Sequence, residues 1–413
     1  MSEKLLSGVR VLELSTFVAA STCGRQLAEL GAEVVKVESG SGDAFRYYGL
    51  SNNMPANDEE NALWDLTNGG KRSVSVNLKT AAGLEVMHRL LEKADVFLTN
   101  NREKALKKFG LDYASLKSQY PRLIYATITG FGNLGPEKDR PGFDGAAFWA
   151  RSGFLADMAP GADSYPVTAA SGFGDICAGN VLLSGITAAL YGREKSGHGD
   201  YVTASLYGTA IWNVSVAAVP AQKCYGMKYP RERLNISPAP FRTKDGEWIL
   251  PIIAVGYDKY FPLLCKAVER EDLIGDPRFK TLSDYAKPDN QAEFIHIMDE
   301  AFAKRTAEEW KQRLEALDVV YEVIVHFKSL FTSQQALENH YIQDHTMPGG
   351  KTCRIVAPPL SSYQNGPNGV ATGPRLGQHT FDVLRDLGYT EEQIRDLEGQ
   401  DAVRCSDEVD RLN

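Results

Sequence analysis

Between residues 9 and 130 the chain alternates short apolar strands with helical segments, and no other property of the sequence restricts the architecture as much. Residues 9–14, 33–38, 73–78, 95–99 and 123–129 read as strands. Residues 19–30, 80–93 and 113–118 read as helices. Gly31 stands where a left-handed residue ends the first helix, and Pro121 follows the third. Strand–helix–strand repetition with strands this apolar demands a parallel sheet covered on both faces. The expected large domain is therefore α/β, built on a Rossmann-like open parallel sheet.

Beyond Gly130 the alternation gives way to Gly- and Pro-rich loops at 131–142 and 159–174. A long, almost uncharged helix over 176–192, a turn at Ser196-Gly-His-Gly199, a strand at 201–206 and helical sequence to Cys224 follow. Residues 225–240 read as a polar linker. A hairpin at 241–252 turns on Lys244-Asp-Gly246, a strong turn signal. Helices at 257–268, 291–303 and 307–317 complete a smaller α+β domain over 241–330. Residues 331–413 return to the large domain, 1–224, and close with helices at 380–387 and 391–397. A length of 413 residues is enough for two full cores.

The net charge of −8 argues against nonspecific nucleic-acid binding but leaves room for an anionic ligand on a local basic patch. Residues 1–8 hold no apolar run of a signal peptide. The apolar segments at 181–190 and 211–220 fall short of the roughly 20 residues of a membrane span. Six cysteines without CxxC spacing read as reduced thiols of a cytoplasmic protein. Seven histidines without HxxxH or HExxH spacing indicate no metal site.

The turn after the first strand, residues 15–24, lacks the GxGxxG of a dinucleotide site. Gly40-Ser-Gly-Asp43 reads as a surface loop. Lys71, Arg72, Lys79, Arg102, Lys104, Lys107 and Lys108 lie near strand ends, where open α/β sheets bind ligands. Positive charge there suits a phosphorylated ligand, although most such residues line solvated helix faces.

Ser171-Gly-Phe-Gly-Asp175 delivers one carboxylate to the start of the long helix. Asp175 is either a helix cap or a nucleophile aimed into a pocket. The helix is apolar on every side, so its start is expected in the core. Glycines 172, 174 and 179 permit close approach. The helix dipole and free N–H groups favour the ionised carboxylate.

Taken together, these motifs resemble the family III CoA-transferases, the formyl-CoA and carnitine CoA-transferase family. The resemblance runs nearly the whole length, through Val11-Leu-Glu-Leu14 with Cys23, Gly31-Ala-Glu-Val-Val-Lys-Val-Glu38, Gly40-Ser-Gly-Asp43 and Lys71-Arg-Ser73. It continues through Asn100-x-Arg102 with Ala105-Leu106 and Gly110, Arg140-Pro141, Gly174-Asp175, Gly197-x-Gly199, Asp276-Pro-Arg-Phe279 and Leu376-Gly-x-His-Thr380. It implies that Asp175 is catalytic. It implies CoA contacts at Val18, Ala19, Val76, Lys79, Asn100, Asn101, Arg102, Lys108 and Phe143. It also implies an interlocked homodimer of ring-shaped chains, with coenzyme A thioesters as substrates and no tightly bound cofactor.

Departures narrow the branch. Val18 replaces a Gln of the formyl-CoA branch, and residues 225–238 lack its glycine-rich flap. Phe143 replaces the His of the family's racemases, removing a second base and disfavouring racemisation, the alternative reading. Ser39 replaces an Arg that packs on adenine in some members. Ile128-Thr-Gly-Phe-Gly132, Gly135-Pro-x-Lys-Asp139, Pro141-Gly-Phe-Asp144 and Gly172-Phe-Gly-Asp175 look most like the phenyllactate and 2-hydroxyisocaproate branch of amino-acid-fermenting anaerobes. The expected reaction moves CoA from an acyl-CoA donor to a carboxylic acid, expected to be a 2-hydroxy acid, through an aspartyl-CoA thioester. Backbone N–H groups near Ile176 and Cys177 are expected to hold the oxyanion. Phe17, Tyr47, Phe148 and Trp149 are candidate pocket aromatics, and the loops at 131–145 and 225–240 are candidate walls.

Overall fold

The computed structural model describes residues 4–159, 164–222, 239–253, 255–362 and 365–406. They divide into two compact units. One lies within Met1–Ser152, Ala169–Val214 and Phe331–Asn413, the other within Gly153–Thr168 and Ser215–Leu330.

The first unit is built on a seven-stranded sheet. Six strands run parallel: β1 Arg10–Leu14, β2 Glu33–Glu38, β3 Arg72–Val76, β4 Val96–Thr99, β5 Ile124–Thr129 and β6 Tyr201–Ser205. All four residues of β4 are buried, which requires cover on both faces and explains its unbroken apolar run. The spatial order runs β3-β2-β1-β4-β5-β6, so the chain steps outward from β1 in one direction and then in the other. That reversal opens a crevice beyond the carboxyl ends of β1 and β4. A two-residue strand, Val403–Arg404, closes the β3 edge antiparallel, Val403 opposite Val76. It is too short to show a period in the sequence. A core cluster that includes Val74, Met87, Leu91, Phe97, Leu384 and Ile394 fills one side of this unit.

The helix Phe173–Ser196 crosses over between β5 and β6 and packs on both strands and on the first helix, Ala19–Glu29. It starts earlier and ends later than expected. By length and composition it could span a membrane, contrary to the sequence reading, yet Ala178, Leu182, Ile186 and Leu190 are buried against the protein. The expectation that it is buried on every side is also corrected, because Ile176, Val181 and Tyr191 are exposed. A sheet offers a helix one packing surface, so its remaining face stays uncovered within this unit.

At the carboxyl ends of β1 and β2 lies an ion cluster without solvent contact. Lys36 Nζ meets Glu13 Oε1 at 3.0 Å and Asp43 Oδ2 at 3.1 Å, and Lys71 Nζ meets Glu13 Oε2 at 2.8 Å. Gly40-Ser-Gly-Asp43 is thus not merely a surface loop, since Asp43 is anchored in the interior. Burial alone would raise the Glu13 carboxyl, but Lys36 and Lys71 outweigh it and hold it below its ordinary value. Burial brings Lys71 down to about 8 despite Glu13.

The second unit carries a three-stranded antiparallel sheet, Phe241–Arg242, Trp248–Pro251 and Tyr321–Val323. The first two form the expected hairpin, with Gly246 at φ 89° in its turn. Helices Tyr257–Ala267, Pro288–Phe302 and Ala307–Ala316 cover an aromatic core of Phe261, Phe279, Phe294, Phe302 and Trp310. The linker expected at 225–240 falls, through residue 238, outside the described residues.

Removing Glu13 would strand two buried ammonium groups. Glu13→Ala is expected to destabilise the fold by about 3–5 kcal/mol. Urea unfolding checks this; a loss below about 1 kcal/mol would show that water repairs the cluster.

Candidate active site

The crevice beyond β1 and β4 is a cavity of about 880 Å³. Thr16–Ala19 after β1, Asn100–Arg102 after β4, residues 127–130 and 138–145 and the turn into the long helix border it. Of the residues singled out in the sequence, Val18, Ala19, Asn100, Asn101, Arg102, Phe143 and Asp175 come together here. Val76, Lys79 and Lys108 are not among its lining residues. The Val76 side chain is 1% exposed and belongs to the sheet core. Lys79 is exposed on the turn after β3, and Lys108 is exposed at the end of the helix Glu103–Lys107.

The cations near strand ends also separate. Lys71 is consumed by Glu13, Arg72 pairs with Glu33 and Asp386, and Lys107 pairs with Glu103. Arg102 borders the cavity, joined by Lys138 and by Arg140, itself paired with Glu137; the sequence placed both in motifs but gave neither a part in the site. Asn100 and Asn101 are clamps on the backbone. Asn100 Oδ1 accepts from the Thr16 amide at 3.0 Å, and Asn100 Nδ2 donates to the Thr16 carbonyl at 2.7 Å. Asn101 Nδ2 donates to the Leu14 carbonyl at 2.9 Å. These bonds fix the loops after β1 and β4 to each other.

Phe17, between Thr16 and Val18, has φ 59°, a left-handed conformation that costs a bulky residue about 1–3 kcal/mol. Its amide donates to Asp43 Oδ1 at 3.1 Å, so the buried ion cluster holds the strained turn. The turn aims Phe17 edge-on at Phe143, with ring centroids 5.7 Å apart. Phe45 and Tyr48 stack beside Phe17 with centroids 5.2 Å apart, and Tyr48 Oη lies 2.9 Å from Ser171 Oγ. Phe17, Phe45, Tyr48 and Phe143 thus form an aromatic wall. Of the expected aromatics only Phe17 takes part. Tyr47 is exposed and not among the lining residues, while Phe148 and Trp149 are buried behind the site.

Asp175 also borders the cavity, but it is not the helix cap. Gly172 occupies the N-cap at φ 76° and Asp175 is the third helical residue. Gly172 is required by that φ, and Gly174 by space, because a Cβ there would overlap Phe148 and the Asp144 carboxylate. The Ile176 amide donates to the Gly172 carbonyl at 3.0 Å, so it is spent within the helix and is not available to an oxyanion as expected. The Cys177 amide lies deeper in the same helix, where intrahelical bonding claims it too.

The protonation of Asp175 also differs from the sequence reading. Burial, with the neighbouring Asp144 charge second, pushes its pKa up to about 7. The helix start favours the anion, but removal from water outweighs it here. Asp144 lies in a π-helical turn, Asp144–Ala150, and accepts from the Gly172 amide at 2.8 Å. Burial raises its carboxyl as well, offset in part by the bond from the Gly172 amide and by the nearby Gly174 amide and Trp149 indole. The site therefore offers a carboxyl group near neutrality, an apolar wall and nearby cations. That set suits nucleophilic attack on an acyl group of an anionic substrate.

Because folding raises the Asp175 pKa from 3.8 to about 7, the folded chain binds an extra proton between those values. The contribution of the protonated form is complete below the lower value and is lost as pH rises through about 7. Asp175→Asn removes this loss, so its melting temperature should exceed that of the parent by more at pH 8 than at pH 5. Calorimetry at the two pH values measures it, and a pH-independent difference would contradict the burial argument.

A CoA-transferase family III model matches residues 6–380. The chain is 38% identical to the (R)-2-hydroxy-4-methylpentanoate CoA-transferase of Clostridioides difficile, covering 97% of this chain and 100% of that protein. It is 36% identical to the cinnamoyl-CoA:phenyllactate CoA-transferase of Clostridium sporogenes, covering 95% and 96%. A crystal structure of a CAIB/BAIF family protein from Brucella suis superposes with a TM-score of 0.78 at 26% identity, covering 94% of this chain and 100% of that one. The fold around the β1/β4 crevice and the match along the chain agree: this chain belongs to CoA-transferase family III.

Proposed function

We propose that this CoA-transferase moves CoA from an acyl-CoA thioester to a free 2-hydroxy acid, with Asp175 as covalent nucleophile. The observation that carries the reading is the position of Asp175, a half-buried carboxyl that shares a cavity of about 880 Å³ with an aromatic wall. The two relatives named for 2-hydroxy acids support the acceptor class. The aromatic wall favours an acceptor with an apolar side chain.

Ionised Asp175 attacks the donor thioester carbonyl. The C–S bond breaks, leaving a mixed anhydride and CoA thiolate. The thiolate attacks the Asp175 acyl carbon, the C–O bond breaks, and the donor leaves as a carboxylate. The acceptor carboxylate attacks the resulting aspartyl-CoA thioester and releases the thiolate again. Thiolate attack on the acceptor acyl carbon forms the new thioester and restores the Asp175 carboxylate. Thioester energy is conserved throughout, and no other energy source is needed. Arg102 and Lys138 provide the positive charge that would keep an anionic nucleotide half of CoA at the cavity between steps, whereas Arg140 is paired with Glu137. Since the anion is the nucleophile, transfer should rise as pH increases through about 7.

Asp175→Ala should abolish transfer while retaining the fold. Hydroxylamine added with acyl-CoA should inactivate the enzyme and mark Asp175 by mass. Normal turnover in the Ala variant would end the nucleophile assignment. A panel of carboxylic acids against several acyl-CoA donors, read by mass spectrometry, tests the acceptor class; inactivity with every 2-hydroxy acid rejects it.

We also infer a homodimer in a reducing, cytoplasmic setting. Exposed Ile176, Val181 and Tyr191 on the long helix, with Ile211 and Trp212 on the neighbouring helix Leu206–Asn213, support self-association. Cys23, Cys177, Cys265 and Cys353 carry free thiols, in keeping with a reducing compartment. Light scattering should give twice the chain mass of 45.4 kDa; the mass of one chain would refute the dimer.

A further inference from the structure

We propose that Asp144 is a positioning residue for this reaction: from a separate element it caps the helix that carries Asp175 and sets a second carboxyl group against the turn from which Asp175 projects. The inference rests on Asp175 being the nucleophile and goes beyond it.

The long helix has no side-chain cap of its own, because its N-cap residue is Gly172. The cap comes instead from the π-helical turn, where Asp144 accepts from the Gly172 amide at 2.8 Å. A second amide, that of Gly174, also faces the Asp144 carboxylate. The fit is tight, since any side chain at position 174 would strike Asp144 and Phe148. Asp144 is 9% exposed and, like Asp175, borders the cavity. Its carboxylate therefore holds the Gly172–Gly174 turn from one side while the Asp175 side chain leaves the next residue of the same turn. A cap of this kind fixes the direction of the first helical turn and of everything it carries.

A neutral side chain could cap as well. A carboxylate adds a like charge beside the nucleophile, which favours the protonated resting state of Asp175. The other titratable groups near the helix start are Cys177 on the helix, Cys23 on the first helix and Tyr48, whose hydroxyl reaches Ser171. The charged groups elsewhere around the cavity are Arg102, Glu103, Lys138, Asp139 and Arg140. Of all these, Asp144 is the one that meets the first turn of the helix by a direct hydrogen bond, and its negative charge adds to burial in raising the Asp175 carboxyl. Protonation while the site is idle reduces the standing cost of a buried anion, and the nucleophile forms when the proton leaves.

Asp144→Asn keeps a capping oxygen and removes the charge. The acidic limb of its kcat/KM pH profile should move to lower pH by about half a unit or more, with plateau kcat within a few-fold of the parent. Asp144→Ala removes the cap. It should lower kcat by roughly ten- to a hundredfold. It should also speed hydrogen exchange of the peptide spanning Ala169–Ile176. An unmoved acidic limb in D144N, or unchanged exchange in D144A, overturns the proposal. If D144N does not fold, D144S carries the same pH test. The exchange measurement needs no turnover. A failed nucleophile assignment, seen as full activity in D175A, is therefore read separately from a failed cap.

Discussion

Four charged side chains sealed from water, Glu13, Lys36, Asp43 and Lys71, are the interaction on which the site depends. Each buried ion costs several kcal/mol in lost hydration, and the cost is recovered only when every partner is in place. Two cations and two anions satisfy that condition by drawing together β1, β2, the loop after β2 and the residue before β3. Asp43 passes the constraint outward, because its second oxygen holds the Phe17 amide in a left-handed turn. Asn100 then ties that turn to the end of β4. The floor of the cavity is thus rigid for electrostatic reasons that lie beneath it.

The opposite wall stores a conflict. Asp175 stands in the first turn of a helix, where local dipoles favour its anion, yet burial and Asp144 favour the neutral acid. The second influence prevails and leaves the carboxyl near neutrality. A carboxylate that is too well solvated is a stable but sluggish nucleophile; one that is buried costs folding energy. The position of Asp175 between these extremes suits the covalent relay proposed for it.

Much of the frame was legible in the sequence. The strands from β1 to β6 announce themselves because β-sheet burial writes a run of apolar residues into each. The crevice follows from the open parallel sheet; Arg102 was read from the strand end it follows and Asp175 from its glycine-rich turn, while Val18, Ala19, Asn100 and Asn101 were implied by the family resemblance. Other parts left no periodic trace. Val403–Arg404 is two residues long and becomes a strand only because β3 offers an open edge. Phe45 and Tyr48 lie in a short 3-10 helix, Ala44–Asn52, and Lys138 and Arg140 in a loop, while a neighbour in sequence such as Tyr47 is exposed.

Asp144 shows the limit most clearly. As a residue type in a Gly-Phe-Asp run it is indistinguishable from any loop aspartate. Its meaning comes from a hydrogen bond to Gly172, 28 positions away. The sequence by itself determined the sheet, the glycine-rich turn and the carboxylate at the start of a helix, because these follow from local sterics and hydrophobic period. Only the tertiary structure decided that the helix start is capped from another element and that the Asp175 carboxyl is held near neutrality. Desolvation and like-charge repulsion depend on what packs over a group, and those neighbours are distant in the chain.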